Sequence, residues 1–220
     1  CQTAGKGRRG RQWQSPANIA VYFTIMLRPV FPPDKASMVT LVMALSVAQA
    51  IEEVTGMSAR IKWPNDIVVN RRKVCGMLTE MSTTPEMGEI QYVVVGVGIN
   101  VNQAGSGEFP EDIRETATSL RIEAGRVIGR SELTEKVLAH FEENFEIFTK
   151  SLSMRPLMDD YQERLINIDK QVRVLDPAGE YTGISRGINE AGELLVERED
   201  GSCEAVYAGE VSVRGLYGYV

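Results

Sequence analysis

The sequence predicts an α+β domain over residues 1–167, followed by a small β-barrel over residues 168–220. The chain has 220 residues, of which 43% are hydrophobic and 25% are charged, and this is an ordinary globular composition. Up to about residue 167, segments with helical periodicity are interspersed with segments typical of strands. Five short strand-like segments, separated by turn signals, follow. Regularly spaced short strands with intervening turns favour a barrel for the second unit.

The first domain begins with a polar loop at residues 1–17 that is rich in glycine and arginine. A run of β-branched and aromatic residues at 18–27 predicts a strand. Apolar residues at helical spacing between Met38 and Ile51 predict a helix that ends near Gly56. A hairpin turn is expected at 70–73. Further strands are predicted at 59–63, 66–69, 74–80 and 90–97.

A loop at 101–118 separates these strands from two more predicted helices. The first spans 131–150, because apolar residues recur there on one helical face, and the second spans 154–165. The apolar stripe of the first is formed by Leu133, Val137, Phe141, Phe145 and Phe148. The strands of the barrel are predicted at 171–175, 181–188, 193–198, 203–207 and 210–214.

The cysteines and the single histidine exclude several classes of protein. Cys1, Cys75 and Cys203 are far apart in sequence, so they show no zinc-ligand spacing and no disulfide framework. His140 alone cannot build a multi-histidine metal site, and it falls within a predicted helix. We therefore expect a reducing, cytoplasmic environment. No apolar run among these strands is long enough to span a bilayer, so no membrane contact is expected.

The charge is unevenly distributed along the chain. The sequence has 24 Lys and Arg against 30 Asp and Glu, a net charge of −6, which argues against a general nucleic-acid-binding protein. Four of those cations, Lys6, Arg8, Arg9 and Arg11, fall within residues 1–11, where there is no anion. The rest of the chain has 20 cations against 30 anions, so the basic segment needs a specific explanation.

Glycines and cations alternate in that segment, over residues 5–11. Glycine lets a backbone approach a ligand and present its N–H groups, and the cations suit phosphate or carboxylate oxygens. The segment is not a Walker A loop, because Lys6 is followed by Gly7 and Arg8 and not by Ser or Thr. Taken alone, the segment is equally compatible with a solvated basic loop.

Two further motifs combine strand ends with polar side chains. At residues 61–66, Lys62 ends an apolar strand, Pro64 restricts the backbone, and Asn65 and Asp66 follow. This pattern can hold a lysine against an anionic ligand, or it can be a surface turn. At residues 96–102, two glycines and Asn100 end a buried strand, which suits either amide recognition of a ligand or a simple glycine bulge.

Taken together, these motifs resemble the biotin protein ligases in order and spacing. The matching segments are GKGRRGRQWQSP at 5–16, KWPND at 62–66, KVCGMLTE at 73–80 and GVGINVN at 96–102, with GISRGI at 183–188 and GEVSVR at 209–214 in the last unit. The resemblance implies a mixed sheet with helices in a class II synthetase-like catalytic domain, followed by an SH3-like barrel. It also implies activation of biotin with MgATP to biotinyl-5′-AMP and transfer to a lysine of a biotin carboxyl carrier protein.

The resemblance also implies roles for individual residues. Lys62 and Arg8 are the implied catalytic residues. The residues implied to bind biotin are Gln2, Gly5, Lys6, Gly7, Arg8 and Lys62. Those implied to bind ATP or the adenylate are Arg8, Arg11, Trp13, Asn65, Asn100 and Arg214. Trp13 and Asn100 are expected near the adenine, and Arg214 near the phosphates. No protein metal ligand is implied, because Mg²⁺ accompanies ATP.

Two departures from the family pattern lead to further expectations. Lys6 stands where the family most often has arginine, so its charge is kept but the planar fork is lost. The family's catalytic domain also begins before its basic loop, with a Ser-Thr-Asn type motif, so this chain is expected to be N-terminally incomplete. The alternatives are a partial or inactive ligase, a lipoate–protein ligase, and a nucleic-acid-binding module. The expected partner is the carrier protein, with room for a homodimer and no nucleic acid bound through this chain.

Overall fold

The computed structural model describes residues 2–10, 13, 16–84, 88–176, 179–208, 212–215 and 219. The helices are α1 (Met38–Thr55), α2 (Leu120–Ala124), α3 (Arg130–Ser151) and α4 (Met158–Arg164). The first five strands are β1 (Val21–Leu27), β2 (Arg60–Lys62), β3 (Asp66–Val69), β4 (Arg72–Thr83) and β5 (Ile90–Ile99). The last five are β6 (Gln171–Asp176), β7 (Gly179–Ile188), β8 (Leu194–Glu197), β9 (Cys203–Val206) and β10 (Ser212–Gly215).

The first sheet is antiparallel, with the strand order β1-β5-β4-β3-β2. Strand β1 starts three residues later than predicted, because residues 17–19 form a turn in which Asn18 has a φ of 65°. The predicted hairpin turn is confirmed but is shorter than 70–73. Asn70 and Arg71 carry positive φ values of 48° and 66°, as a two-residue turn of type I′ requires, and Arg72 already belongs to β4.

Helix α1 is the centre of the hydrophobic core. Twelve of its 18 residues are buried, and it contacts both the first sheet and α3. By length and composition alone, residues 33–55 could cross a membrane, but 72% of that apolar window is buried inside the protein. The helix is apolar on nearly all of its faces because nearly all of them are buried.

Helix α3 packs its apolar stripe against α1, close to the predicted residues. Leu133, Val137, Phe141 and Phe148 are buried, while Phe145 is only partly buried. Asn144, which the apolar pattern did not predict, is also buried on this face and donates to Ser46 Oγ at 3.0 Å and Gln49 Oε1 at 2.8 Å. These bonds satisfy the amide inside the helix–helix contact.

The second sheet has the order β10-β6-β7-β8-β9, and all its pairs are antiparallel. The helix predicted at 154–165 is divided into a 3₁₀ turn, Arg155–Leu157, and α4. The strand predicted at 210–214 is seen as β10, and residues 209–211 lie outside the described part of the chain. Among the described residues, the strands of this sheet pair in a linear order that is open at both ends. Closure of the sheet into a barrel therefore stays a prediction.

Candidate functional site

The KWPND motif forms a buried corner between β2 and β3. Lys62 and Asp66 are partners across these two strands, and the Trp63–Pro64 peptide between them is cis. The Trp63 side chain is anchored from the far side, since its indole N–H donates to the Gly192 carbonyl at 3.0 Å. Lys62 is only 6% exposed, so the surface-turn interpretation is wrong.

Asp66 is the centre of a charged cluster at this corner. Its Oδ1 atom lies 2.6 Å from Lys73 Nζ and accepts a hydrogen bond from Asn65 Nδ2 at 3.2 Å. Its Oδ2 atom accepts from the Tyr219 hydroxyl at 2.5 Å. Burial alone would raise the pKa of Asp66, but the Lys73 ammonium, the Tyr219 hydroxyl and the Lys62 charge outweigh it and hold the pKa below its usual range. The corner therefore carries an ionised carboxylate held between cations.

The basic loop reaches over this corner. Arg8 lies in a 3₁₀ turn, Arg8–Gly10, and its Nη1 atom donates to Asn65 Oδ1 at 3.0 Å. Its Nη2 atom donates to the Ala208 carbonyl at 2.7 Å, so one guanidinium joins the loop to the corner between β2 and β3 and to the segment after β9. Farther along the loop, the Trp13 amide donates to the Gly5 carbonyl at 2.9 Å. A Cβ atom on Gly5 would lie 2.2 Å from the Trp13 carbonyl, so only glycine fits there.

Beside the charged corner lies a flat apolar surface, which we call the glycine shelf. It consists of Gly76 in β4 and Gly98 in β5, which are paired across the two strands. The Trp13 indole lies on it so closely that a Cβ atom would be 2.9 Å from the ring at Gly76 and 2.7 Å at Gly98. Trp13 Nε1 and the Tyr22 hydroxyl are buried here without a hydrogen-bond partner among the described residues. Burial raises the pKa of Tyr22 to about 12, so its phenol is a neutral donor near pH 7.

Two adjoining cavities open on the shelf and on the corner. The shelf cavity has a volume of about 220 Å³ and includes Gln2 and Lys6 in its wall. The corner cavity, of about 200 Å³, includes Lys62, Asn100 and Arg214. Both cavities are lined by Gly7, Arg8, Trp13, Asn65 and Lys73. A ligand that filled both would place one end on an apolar surface and the other among cations.

The structure thus brings most of the predicted site residues into one cleft. Gly5 does not line either cavity but holds the Trp13 backbone, and Arg11 lies outside the described residues. Asn100 follows β5 and is 7% exposed, and its Oδ1 atom accepts from Gln103 Nε2 at 3.2 Å. Asn100 therefore follows a buried strand with its amide oxygen hydrogen-bonded, and it lines the corner cavity.

Sequence reasoning missed three residues of this cleft: Lys73, Tyr22 and Tyr219. Lys73 is the first residue of the KVCGMLTE segment, and its place in this family-like motif could have marked it as a site residue. No role was predicted for it. Tyr22 lies in the middle of a strand pattern, and Tyr219 lies near the chain end, so neither carries a local sequence signal. Among the described residues, no group of three or more His, Cys, Asp or Glu side chains could hold a metal ion.

Family models match both parts of the chain. Residues 1–100 match the biotin/lipoate A/B protein ligase family, and residues 168–214 match the biotin protein ligase C-terminal domain. Both parts of the chain therefore match the biotin/lipoate class of protein ligases.

Individual relatives show which family within this class the chain resembles. The chain is 34% identical to the "Bifunctional ligase/repressor BirA" of Bacillus subtilis over 96% of its own length and 64% of the relative's. It is 31% identical to the "Biotin--[acetyl-CoA-carboxylase] ligase" of Mycobacterium tuberculosis, over 96% of its length and 75% of the relative's. The structure of "Biotin protein ligase from Aquifex aeolicus in complex with biotin and ATP" is 34% identical and superposes with a TM-score of 0.84, over 97% of this chain and 86% of that one. The chain belongs to the biotin protein ligase family, which confirms the resemblance seen in the sequence.

The relatives differ in length from this chain. It spans 64% of the length of the four bifunctional ligase/repressor relatives, and 88% of the Paracoccus denitrificans ligase. The architecture of helices and antiparallel sheets, with a C-terminal domain, is the one found in the ligase structures.

Proposed function

We propose that this protein joins biotin to a lysine of a biotin carboxyl carrier protein in two steps, the first of which consumes ATP. The observation that carries the proposal is the double cavity, in which an apolar glycine shelf adjoins a corner bearing Lys62, Lys73 and Arg8. Biotin has at one end a bicyclic ring whose hydrocarbon part suits the shelf and whose ureido group can pair with the buried donors there, and it has a carboxylate at the other end. The relative from Aquifex aeolicus, whose structure holds biotin and ATP, supports the same assignment.

In the first step, a biotin carboxylate oxygen attacks the α-phosphorus of ATP. The new O–P bond gives biotinyl-5′-AMP, and the bond to the β-phosphate breaks to release pyrophosphate. Two anions must be brought together, which requires cations and N–H donors and no protein nucleophile. Lys62 and Arg8 supply that charge, and Lys73 is placed to add to it.

In the second step, the neutral amine of the carrier lysine attacks the activated carbonyl carbon. A C–N amide bond forms, the C–O bond to phosphate breaks, and AMP leaves with the negative charge while the amine loses a proton. The loop segment that Arg8 ties to Ala208 covers the cleft, and this would limit hydrolysis of the intermediate by water.

The ligand-binding residues are proposed as follows. Gln2, Gly5, Lys6, Gly7, Arg8 and Lys62 bind biotin, and Arg8, Arg11, Trp13, Asn65, Asn100 and Arg214 bind ATP or the adenylate. The Trp13 N–H and the Tyr22 hydroxyl support a polar ring on the shelf, because buried donors of this kind call for a partner. Mg²⁺ would be bound together with ATP and would neutralise phosphate charge. We assign it no protein ligand.

The wider context is part of the same proposal. Residues 1–167 form a class II synthetase-like catalytic domain, and 168–220 form an SH3-like barrel whose Arg214 faces the corner cavity. The protein acts in the cytoplasm on a carrier protein, with room for a homodimer, and it contacts neither a membrane nor nucleic acid through this chain.

Biotin-dependent exchange of labelled pyrophosphate into ATP tests the first step, and labelling of an apo carrier protein tests the second. We expect exchange with biotin and none with lipoate. Exchange with lipoate alone would instead indicate a lipoate–protein ligase. Salt-sensitive oligonucleotide binding without any exchange would contradict the enzyme assignment altogether.

A further inference from the structure

Tyr219, near the end of the chain, lies against the two charged residues of the KWPND corner. Its ring covers the Lys62 ammonium, with Nζ 3.5 Å from the ring centroid. Its hydroxyl donates to Asp66 Oδ2. One side chain from the tail after β10 thus contacts both members of the β2–β3 partner pair.

The burial of this pair makes both contacts strong. Lys62 is 6% exposed and the Asp66 side chain is 14% exposed, so water solvates neither charge fully. An ammonium on an aromatic face is stabilised by the ring's negative potential, and the effect grows when the cation is desolvated. A hydrogen bond to a carboxylate is likewise stronger than one between neutral groups.

The two contacts also restrict movement. The Lys62 side chain has four rotatable bonds, and an ammonium that must meet a carboxylate and a phosphate has to be held at one place. The ring of Tyr219 fixes the head of Lys62, while its hydroxyl fixes the ring relative to Asp66. Asp66 is in turn held by Lys73, whose ammonium lines both cavities.

We propose that Tyr219 is a positioning residue for Lys62, so that the C-terminal tail completes the active site of the first sheet. This inference rests on the function proposed above. It assigns to Tyr219 no contact with the reacting atoms, and it makes adenylation depend on a ring supplied from the far end of the chain.

The test compares Tyr219→Leu, which removes ring and hydroxyl, with Tyr219→Phe, which keeps the ring. We expect Tyr219→Leu to lower kcat for pyrophosphate exchange by roughly 10- to 100-fold, the range in which small misplacements act, with little change in KM for ATP. Tyr219→Phe should recover most of that loss because the ring remains over Lys62. Tyr92→Leu is the matched control, since Tyr92 is 37% exposed on β5 and lines neither the shelf cavity nor the corner cavity.

An opposite result would overturn the inference. If Tyr219→Leu leaves kcat unchanged and lowers KM for ATP, then the ring obstructs the nucleotide and does not position the lysine. If the parent chain exchanges normally and both variants match it, only this inference fails. If the parent chain shows no biotin-dependent exchange, the proposed function fails with it.

A measurement without substrates checks the contact itself. The pKa of Asp66 is held below its usual range, so its stabilising effect is present at neutral pH and is lost as the pH falls through that lowered value. Because Tyr219→Phe removes one donor to the carboxylate, the folded-state pKa of Asp66 moves back toward its unfolded value, so the acid-dependent loss of stability should be smaller than in the parent and should end at a higher pH. Urea unfolding of both proteins between neutral and acidic pH measures this loss of stability. An identical pH dependence in the parent and in Tyr219→Phe would show that the hydroxyl does not bind Asp66.

Discussion

The charged corner and the glycine shelf adjoin each other, yet their polar groups are satisfied to very different degrees. At the corner, both Asp66 oxygens have donors and the Lys62 ammonium lies on an aromatic ring. At the shelf, the Trp13 N–H and the Tyr22 hydroxyl have no partner among the described residues. One region is arranged before any ligand arrives, and the other has donors still to be paired.

This difference assigns separate tasks to the two regions. Charges held in place by the fold need little rearrangement when an anionic transition state forms, so the corner suits catalysis. Donors left unpaired over an apolar surface gain most when a ligand supplies acceptors, so the shelf suits recognition. Substitutions at the corner should therefore reduce rate, and substitutions at the shelf should reduce affinity.

The largest effect is expected at the corner. Lys62→Ala should lower biotin-dependent exchange by roughly 10²- to 10³-fold, as for loss of one group that stabilises developing charge. Affinity for biotin should change much less. Lys150→Ala, at a lysine whose side chain is 72% exposed, is the control. An unchanged exchange rate in a folded Lys62→Ala protein would remove Lys62 from the mechanism.

An intermediate effect is expected at the shelf. Gly98→Ala places a Cβ atom 2.7 Å from the Trp13 ring, which must then move off the shelf. Overpacking of this kind costs about 1–3 kcal/mol, so we expect biotin binding measured by calorimetry to weaken roughly 10- to 100-fold. Gly105→Ala is the control, because nothing lies within 4 Å of a Cβ atom there. If kcat falls while affinity holds, the division of tasks between corner and shelf is wrong.

The smallest effect is expected at the loop that borders both regions. Arg8→Gly removes the bonds to Asn65 and Ala208, so the adenylate should escape roughly tenfold faster and label lysines on nearby proteins. Arg126→Gly is the control, since Arg126 is exposed and donates to a single carbonyl. Filter binding of labelled adenylate measures the release. Equal retention times for Arg8→Gly and the parent would show that the loop does not retain the intermediate.

The helices and turns whose formation depends on nearby residues were predicted correctly from the sequence pattern. The apolar spacing of 38–51 gave α1 nearly to the residue, and the polar link at 70–73 gave the β3–β4 turn. These features depend on neighbours within a few residues, and the sequence displays those neighbours directly.

Long-range contacts could not be read in the same way. Tyr219 meets Asp66 across 153 positions, and Arg8 meets Ala208 across 200. Trp13 was expected near an adenine, and its ring lies on Gly76 and Gly98. Such pairings depend on how two sheets and a loop come together, and no period or spacing in the chain encodes that arrangement.

The bond from Arg8 to the Ala208 carbonyl has a thermodynamic consequence. It joins the ligand loop to the segment that follows β9, so a ligand that orders the loop also tightens that attachment. By linkage, anything that steadies the C-terminal unit must then favour the same ligand to the same extent. Biotin and ATP should accordingly protect the backbone around residues 203–208 from protease and from hydrogen exchange, far along the chain from the loop they bind.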